Sequence, residues 1–291
     1  MLALFGLGFW FWSAGQAKAK QTPTVAYLYA LTPASRVKLT WWHSTPLATA
    51  LPVRSGGMVR IPLGQRVGII YPDGRTDNVA GPVWLRFQQI KPAEPDLFTA
   101  PLADVSVVAQ AIAARPRDHS TITSPVGMTR YLNPLITWAA REGILYDVAV
   151  ADAVDTNAPE RTAFGVRPPI ALADLQTPQR RQLGVDRNYQ IGVREAGSST
   201  ILGAARFLTT TDAQLENQIP ATPAELIVEA VAAMAKAPTR TGDAWLALSH
   251  LPPDWAQSEL GVRLRLRVAA ELGLPDELAQ AQEEARRLLK H

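Results

Sequence analysis

Apolar and polar residues alternate through the early part of the chain, and this period of two predicts β-strands. The alternating large residues up to Gln89 include Val25, Tyr27 and Tyr29, then Val37, Leu39 and Trp41, then Val67, Ile69 and Tyr71. A polar turn, Pro72-Asp73-Gly74-Arg75, follows and separates two hairpin arms, because Gly74 accepts a positive φ at little cost. The pattern predicts a small β domain over residues 22–90.

A second group of alternating segments lies between Ser120 and Thr211. Tyr146, Val148 and Val150 alternate with small or polar residues, and a similar segment runs from Tyr189 to Val193. A Gly/Ser-rich turn at 195–199 leads into a return strand at 201–208, which is typical of a hairpin. Recurring strands with turns between them predict a small antiparallel β-sandwich over residues 120–211.

The period changes to 3.6 residues in the rest of the chain. Residues 91–119 form a linker, and the pattern over 103–114 predicts one helix within it. The capping box of Thr222 and Glu225 predicts the start of a helical domain over 221–291. A third helix of that domain is predicted from Trp255 to about Leu272. Because a helical piece of this size encloses little core alone, we expect it to pack on the chain's own β domains.

The first residues have the composition of an export signal. Leu2–Trp12 is an apolar run too short to span a bilayer comfortably, and Ala17-Lys18-Ala19 resembles a signal-peptidase site. A signal-peptide-like segment over residues 1–19 predicts an exported protein of the periplasm or envelope, with no membrane span beyond that segment. A buried N-terminal strand or helix is the alternative, and a retained anchor is a lesser one.

Composition narrows the class of protein further. With 47% hydrophobic and 19% charged residues, the 291-residue chain has the composition of folded domains and not of a disordered protein. The net charge is +3, and no dense Lys/Arg run with interleaved aromatic residues is present, so no nucleic-acid partner is expected. The absence of cysteine excludes disulfides and thiolate metal sites.

No group of residues in the sequence defines a catalytic, cofactor or metal site. The four histidines lack the spacing of zinc ligands, and no Gly-x-Ser-x-Gly elbow or phosphate loop occurs. Asp147, Asp152 and Asp155 lie on or just after a strand, where a solvated edge explains them better than a pair of catalytic acids. We therefore predict a protein that is not an enzyme.

Two further groups of residues carry predictions about contacts. Trp41 and Trp42 are adjacent in a predicted strand, so only one of them can face the core, and with His43 they form the possible binding surface. Docking of the outward tryptophan against another part of the chain is the alternative. The arginines near the C-terminus, Arg263, Arg265 and Arg267, are expected to pair with Glu259, Glu271 or acids of the last helix.

The hairpin from Gly64 to Phe87, with its Asp73-Gly74 turn and its Gly81-Pro82 step, resembles the core hairpin of FecR-like (ferric-citrate-regulator-like) domains of bacterial envelope proteins. The resemblance covers one hairpin and its flanks. It implies a periplasmic or surface location and a sensing or scaffolding role.

The sandwich segment resembles the fibronectin type III-like or immunoglobulin-like domains of bacterial envelope proteins. The matching pieces are Ser124–Gly127, Pro134–Trp138, Tyr146–Val150, Leu183–Val193 with its Tyr189, and Arg206-Phe207. The resemblance implies a spacer or interaction role and no active site. The last two helices resemble a tetratricopeptide-like hairpin, without a full repeat.

The sequence as a whole predicts a multidomain, mainly β protein with a helical C-terminal region. Its expected function is that of an exported, non-enzymatic envelope protein that acts as a scaffold or sensor through a protein partner, with a FecR-like regulatory role included. A glycan- or cell-wall-binding module is the first alternative. An enzyme with an unrecognised site is the second, and a deep pocket holding two of His43, Asp73 and Asp77 would favour it.

Overall fold

The computed structural model describes residues 23–32, 34–39, 44–88, 97–113, 121–155, 158, 160–176, 183–214, 220–235 and 239–290. These residues divide into two compact units. Unit one draws on Met1–Ala111, Pro252–Arg267 and Glu277–His291, and unit two draws on Ile112–Leu251 and Val268–Asp276. The helical region predicted over 221–291 is therefore shared between the two units.

Unit one contains eight described strands in two antiparallel sheets. The strands are β1 (Thr24–Ala30), β2 (Arg36–Lys38), β3 (Ser44–Pro46), β4 (Leu51–Arg54), β5 (Met58–Ile61), β6 (Arg66–Ile70), β7 (Thr76–Ala80) and β8 (Val83–Arg86). One sheet has the order β4-β1-β6-β7, and the other has the order β3-β2-β5-β8. The predicted hairpin around Asp73-Gly74 is confirmed, because β6 and β7 pair on either side of it and Gly74 has a φ of 81°.

The two sheets of unit one share a core of aliphatic side chains. Leu28 of β1 and Val67 of β6 meet Val37 of β2 and Val59 of β5 in one buried cluster. The outward face of β1 is covered as well, so that all but the last of its residues are buried. Tyr27 lies on β1 among the charged groups of Arg54, Glu259 and Arg263, and burial raises its pKa.

A helix from the far end of the sequence supplies those charged groups. The carboxylate of Glu259 accepts hydrogen bonds from Arg54 at 2.8 Å and from Arg263 at 2.8 Å. Arg263 is fully buried, and its remaining Nη1 donates to the carbonyls of Leu97 and Ala100 at 3.2 and 2.6 Å. We call Arg54, Glu259 and Arg263 the unit-one ion cluster. Since Glu259 is 205 residues from Arg54, unit one needs both parts of the chain.

Six helices occur in the described residues. They are α1 (Leu102–Ala113), α2 (Pro223–Met234), α3 (Thr241–Ser249), α4 (Pro253–Ala256), α5 (Glu259–Leu272) and α6 (Pro275–Lys290). The predicted capping box is confirmed, with Thr222 and Glu225 bonded to each other's backbone at the start of α2. Arg263 and Arg265 pair with acids as expected, the latter with Glu284 of α6 at 2.5 Å.

The third predicted helix, from Trp255 to Leu272, is wrong as one element. It is interrupted after α4, because Ser258 donates to the carbonyl of Trp255 and accepts from the backbone N–H of Gly261, which starts α5 anew. The two helices approach so closely that a Cβ at Gly261 would lie 2.3 Å from the oxygen of Trp255. Gly273, with a φ of 70°, ends α5 at the predicted position.

Unit two contains the predicted sandwich. Its strands are β9 (Ile122–Ser124), β10 (Gly127–Tyr131), β11 (Leu135–Trp138), β12 (Tyr146–Asp152), β13 (Arg161–Val166), β14 (Ile170–Ala171), β15 (Asn188–Glu195) and β16 (Ile201–Gln214), with a 3₁₀ turn at Leu172–Asp174. They form a five-stranded sheet, β10-β16-β15-β12-β13, and a three-stranded sheet, β14-β11-β9. Side chains from both sheets, among them Trp138, Tyr146, Ile191 and Phe207, fill one core.

The expectation of a purely antiparallel sandwich is wrong in one place. β10 runs parallel to β16, whereas the other described pairs of unit two are antiparallel. The chain leaves the three-stranded sheet after β9 and joins the other sheet as β10, with only Pro125 and Val126 between the two strands. The β15–β16 hairpin is confirmed.

The predicted fold class is confirmed at the level of a multidomain protein with several β-sheets and a helical C-terminal region. None of the helices in the described ranges is both long enough and apolar enough to cross a membrane.

Replacing Glu259 tests the importance of the unit-one ion cluster. The Glu259→Gln change leaves the buried guanidinium of Arg263 without its counter-charge, so we expect a loss of about 3–5 kcal/mol in the free energy of unfolding, measured in urea. The matched control is Glu283→Gln on α6, whose carboxylate pairs with Arg286 and Arg287 at the surface and should have little effect. Equal losses in the two variants would contradict this role for the cluster.

Candidate functional site

The residues of the predicted binding surface, Trp41, Trp42 and His43, lie outside the described residues. In the sequence they stand between β2 and β3 of unit one. Their neighbours in the sheet that contains β2 and β3 are described, and the surface of that sheet is the starting point for the site.

Three described residues were candidates for catalysis or metal binding, and they make local structural contacts instead: Asp147, Asp152 and His250. Asp152 accepts from the backbone N–H groups of Val154 and Asp155 in its own turn, and Asp147 accepts from Gly165 and pairs with Arg194. The Nδ1 of His250 lies 2.8 Å from the carbonyl of Leu246 at the end of α3. No group of three potential metal ligands occurs within the described ranges.

A cavity of about 290 Å³ opens in unit one at the end of β6. It is lined by Val25, Ile69, Tyr71, Arg75, Leu85, Arg86, Phe87 and Gln88. Asp73 and Asp77 do not line it. Asp73 instead binds the guanidinium of Arg75 at 2.6 Å, and that guanidinium lies over the ring of Tyr71. Of the three residues whose meeting in a pocket would favour an enzyme, Asp73 and Asp77 are thus not in the cavity wall, and His43 lies outside the described residues.

A network of charged groups lies inside unit two, where α2 and α3 meet β10. Glu229 of α2 binds Arg130 of β10 at 2.6 Å. Asp243 of α3 accepts from the hydroxyl of Thr129 at 2.8 Å and from the backbone of Arg130 at 3.2 Å, and it pairs with Arg240. Burial raises the pKa of Asp243 to about 6, although the bonds from Thr129 and the charge of Arg240 oppose the shift. These groups fasten the helices to the sheet, and nothing among them is open to a substrate.

The outer face of the β3-β2-β5-β8 sheet carries several basic side chains. The strand register places Lys38 opposite Arg60 and Arg60 opposite Trp84, so these three side chains form one row on the same face. The next pair along the strands is Met58 and Arg86, and Arg36 lies two residues before Lys38. We call Arg36, Lys38, Met58, Arg60, Trp84 and Arg86 the cationic face. The core side of these strands carries Val37, Val59 and Leu85.

Among the described residues, no ion pair joins the basic side chains of the cationic face to an acid. The four strands contain four basic residues and no aspartate or glutamate. Over residues 23–88 the sequence has seven lysines and arginines against two aspartates, a net charge of +5, while the whole chain has +3. The guanidinium of Arg60 lies 5.7 Å from the ring centre of Trp84. Arg36 donates to the side chain and the carbonyl of Ser44.

The sequence analysis missed this face, although one signal was present. No acid occurs before Asp73, so the first 72 residues of the chain carry only positive charge. The basic residues are distributed over β2, β5 and β8, so they do not form a dense Lys/Arg run in the sequence. Only the pairing of the strands brings them together.

No protein-family model, curated protein or solved structure matches this chain significantly.

The raised pKa of Asp243 predicts a pH dependence of stability. The folded state binds a proton between about pH 4 and 6 where the unfolded state does not, so this contribution is full at the lower pH and is lost as the pH rises through 6. Relative to the Asp243→Asn variant, the free energy of unfolding of the natural protein should fall by up to roughly 3 kcal/mol from pH 4 to 7.5. Urea unfolding across that range measures it, and parallel pH profiles of the two proteins would refute it.

Proposed function

We propose that this chain is an exported, non-enzymatic protein of the bacterial cell envelope that acts as a scaffold or sensor through a protein partner. The observation that carries the proposal is an exposed apolar patch beside the open edge of the five-stranded sheet in unit two. Phe164 of β13 is 62% exposed and Leu145 at the start of β12 is 44% exposed. They flank Gly165, whose Cβ position would lie 4.0 Å from Leu145.

The edge itself offers backbone groups to a partner. Among the described residues β13 is the last strand of its sheet and pairs with β12, while its Thr162 exchanges two backbone hydrogen bonds with Gln176, so the part of the edge open to a partner in this proposal begins beyond Thr162, at Phe164. An edge strand with free backbone donors and acceptors can take up an extended segment of another protein, and apolar side chains beside it add affinity and selectivity. Nothing in this arrangement requires a reacting group.

We also propose that unit two is a fibronectin type III-like or immunoglobulin-like domain. In unit two the strands β16, β15 and β12 are adjacent in the order expected for strands G, F and C of a fibronectin type III-like or immunoglobulin-like domain. The hydroxyl of Tyr189, near the start of β15, accepts a hydrogen bond from the backbone N–H of Gly184 at 2.7 Å, which supports a tyrosine corner. Such domains serve as spacers and interaction modules.

The remaining parts fit an envelope scaffold. Unit one contains the hairpin by which we assign it to a FecR-like domain, with a sensing or scaffolding role. The α5–α6 pair, joined through Gly273 and held by Arg265 with Glu284, supports a tetratricopeptide-like hairpin. The N-terminal apolar run followed by Ala17-Lys18-Ala19 supports export.

A second candidate function, binding of a glycan or the cell wall, is favoured by the cationic face. That face belongs to unit one, whereas the apolar patch belongs to unit two. The two functions are compatible in one scaffold, and each can fail without the other. The further alternative, an enzyme with an unrecognised site, gains no support from the cavity beside Tyr71.

Photo-crosslinking in the native host tests the protein-partner proposal. With benzoylphenylalanine at position 164, we expect a discrete crosslinked product in the periplasmic or envelope fraction, because the patch would lie in the interface. The matched control is the same probe at Val185, which is 50% exposed at the opposite end of β15. Adding Leu145→Asp should remove the product at position 164. A cytoplasmic, uncleaved protein, or equal crosslinking at both positions, would contradict the proposal.

A further inference from the structure

We propose that the cationic face of unit one binds an acidic polysaccharide, a polymer whose sugar rings carry carboxylate or phosphate groups. The inference deepens the second candidate function and rests on it, while the protein partner proposed for the β13 edge is independent of it. Four steps of geometry and charge lead to this ligand class.

The face extends across neighbouring strands. Lys38, Arg60 and Trp84 follow one another across β2, β5 and β8, and neighbouring strands lie about 4.8 Å apart. The next row contributes Arg86 opposite Met58. The basic side chains are therefore distributed over a surface and do not converge on one point. A spread of this kind matches a polymer with repeated anionic groups better than a single small anion.

The cations of the face are available to such a ligand. Lys38, Arg60 and Arg86 have no carboxylate within ion-pair distance among the residues that the structure describes. By contrast, the arginines that hold the helices are paired, as Arg263 is with Glu259 and Arg265 with Glu284. Within the described part of the chain no carboxylate offsets the positive charge of these three residues, and an anionic polymer would supply one.

An aromatic ring stands within the row of charges. The indole of Trp84 is 44% exposed, and the guanidinium of Arg60 lies over it. A sugar ring has an apolar face that packs on an indole, and a carboxylate or phosphate on that sugar would reach the adjacent guanidinium. A neutral glycan would use the ring and leave the cations unmatched.

Single-stranded nucleic acid is the less suitable polyanion for this surface. Its binding sites offer several aromatic rings on which successive bases stack. The described part of the cationic face has Trp84 alone, with an arginine over the ring. A membrane surface would require a continuous set of apolar side chains that enter the lipid, whereas Met58 on this face stands among Lys38, Arg60 and Arg86.

Binding of the full chain to polygalacturonate, measured by titration calorimetry at low and at raised salt, tests the inference. We expect binding that weakens with salt and no binding to dextran of matched length. Arg60→Glu should weaken binding at least tenfold, because each cation near an anionic surface contributes about a factor of five. Met58→Lys, which adds a cation at a position 53% exposed, should strengthen it severalfold.

The matched control is Arg206→Glu, an exposed arginine opposite Gln190 on the outer face of the five-stranded sheet, which should leave polygalacturonate binding unchanged. Circular dichroism checks that the variants fold, and Met58→Lys keeps the inference testable if Arg60→Glu does not. Equal effects of Arg60→Glu and Arg206→Glu would overturn it. So would tighter binding to oligo(dT) or to phosphatidylglycerol vesicles than to polygalacturonate. None of these results depends on crosslinking at position 164, so the two proposals fail separately.

Discussion

Two guanidinium groups share one carboxylate at the centre of unit one, and this sharing constrains the rest of that unit. Arg54 comes from a β-strand, whereas Glu259 and the fully buried Arg263 come from one turn of α5. A buried arginine without its counter-charge is strongly destabilising, so the strand and the helix must be present together. The carbonyls of Leu97 and Ala100 take the remaining donors of Arg263, which also positions the segment before α1. The β-sheets of unit one therefore depend on a helix encoded far downstream.

Ion pairs also hold the helices of unit two to its sheet, but the ratio of acids to bases there differs from that in unit one. Glu229 and Asp243 oppose Arg130 and Arg240, so acids and bases are equal in number, whereas the unit-one ion cluster has one acid for two bases. Inside each unit, buried or half-buried arginines thus pair with acids and hold helices and strands together. In the described part of the chain, Lys38, Arg60 and Arg86 on the outer sheet face of unit one make no such ion pair, and this contrast is the reason for proposing a ligand for them. Buried ion pairs and exposed cations in one chain therefore serve different purposes.

The parts of the structure that depend on near neighbours in sequence were predictable. The Asp73-Gly74 hairpin, the capping box at Thr222 and the helix end at Gly273 each follow from a few adjacent residues. The interruption at Ser258 and the parallel pairing of β10 did not follow, because a helical period continues through the first and the second depends on where a strand finds its partner. The cationic face was missed for the same reason, since each strand contributes only one or two of its charges. The predicted Trp41, Trp42 and His43 lie beyond the described residues.

The long separation between Arg54 and Glu259 also affects how the protein folds during its synthesis. The strands of unit one leave the ribosome first, but the carboxylate that completes their ion cluster follows only after the whole sandwich has been made. The first-made strands therefore cannot complete their buried ion cluster until α5 has been made. Until then, the apolar outward side of β1 remains exposed to chaperones, and to the aggregation that long-range closure invites.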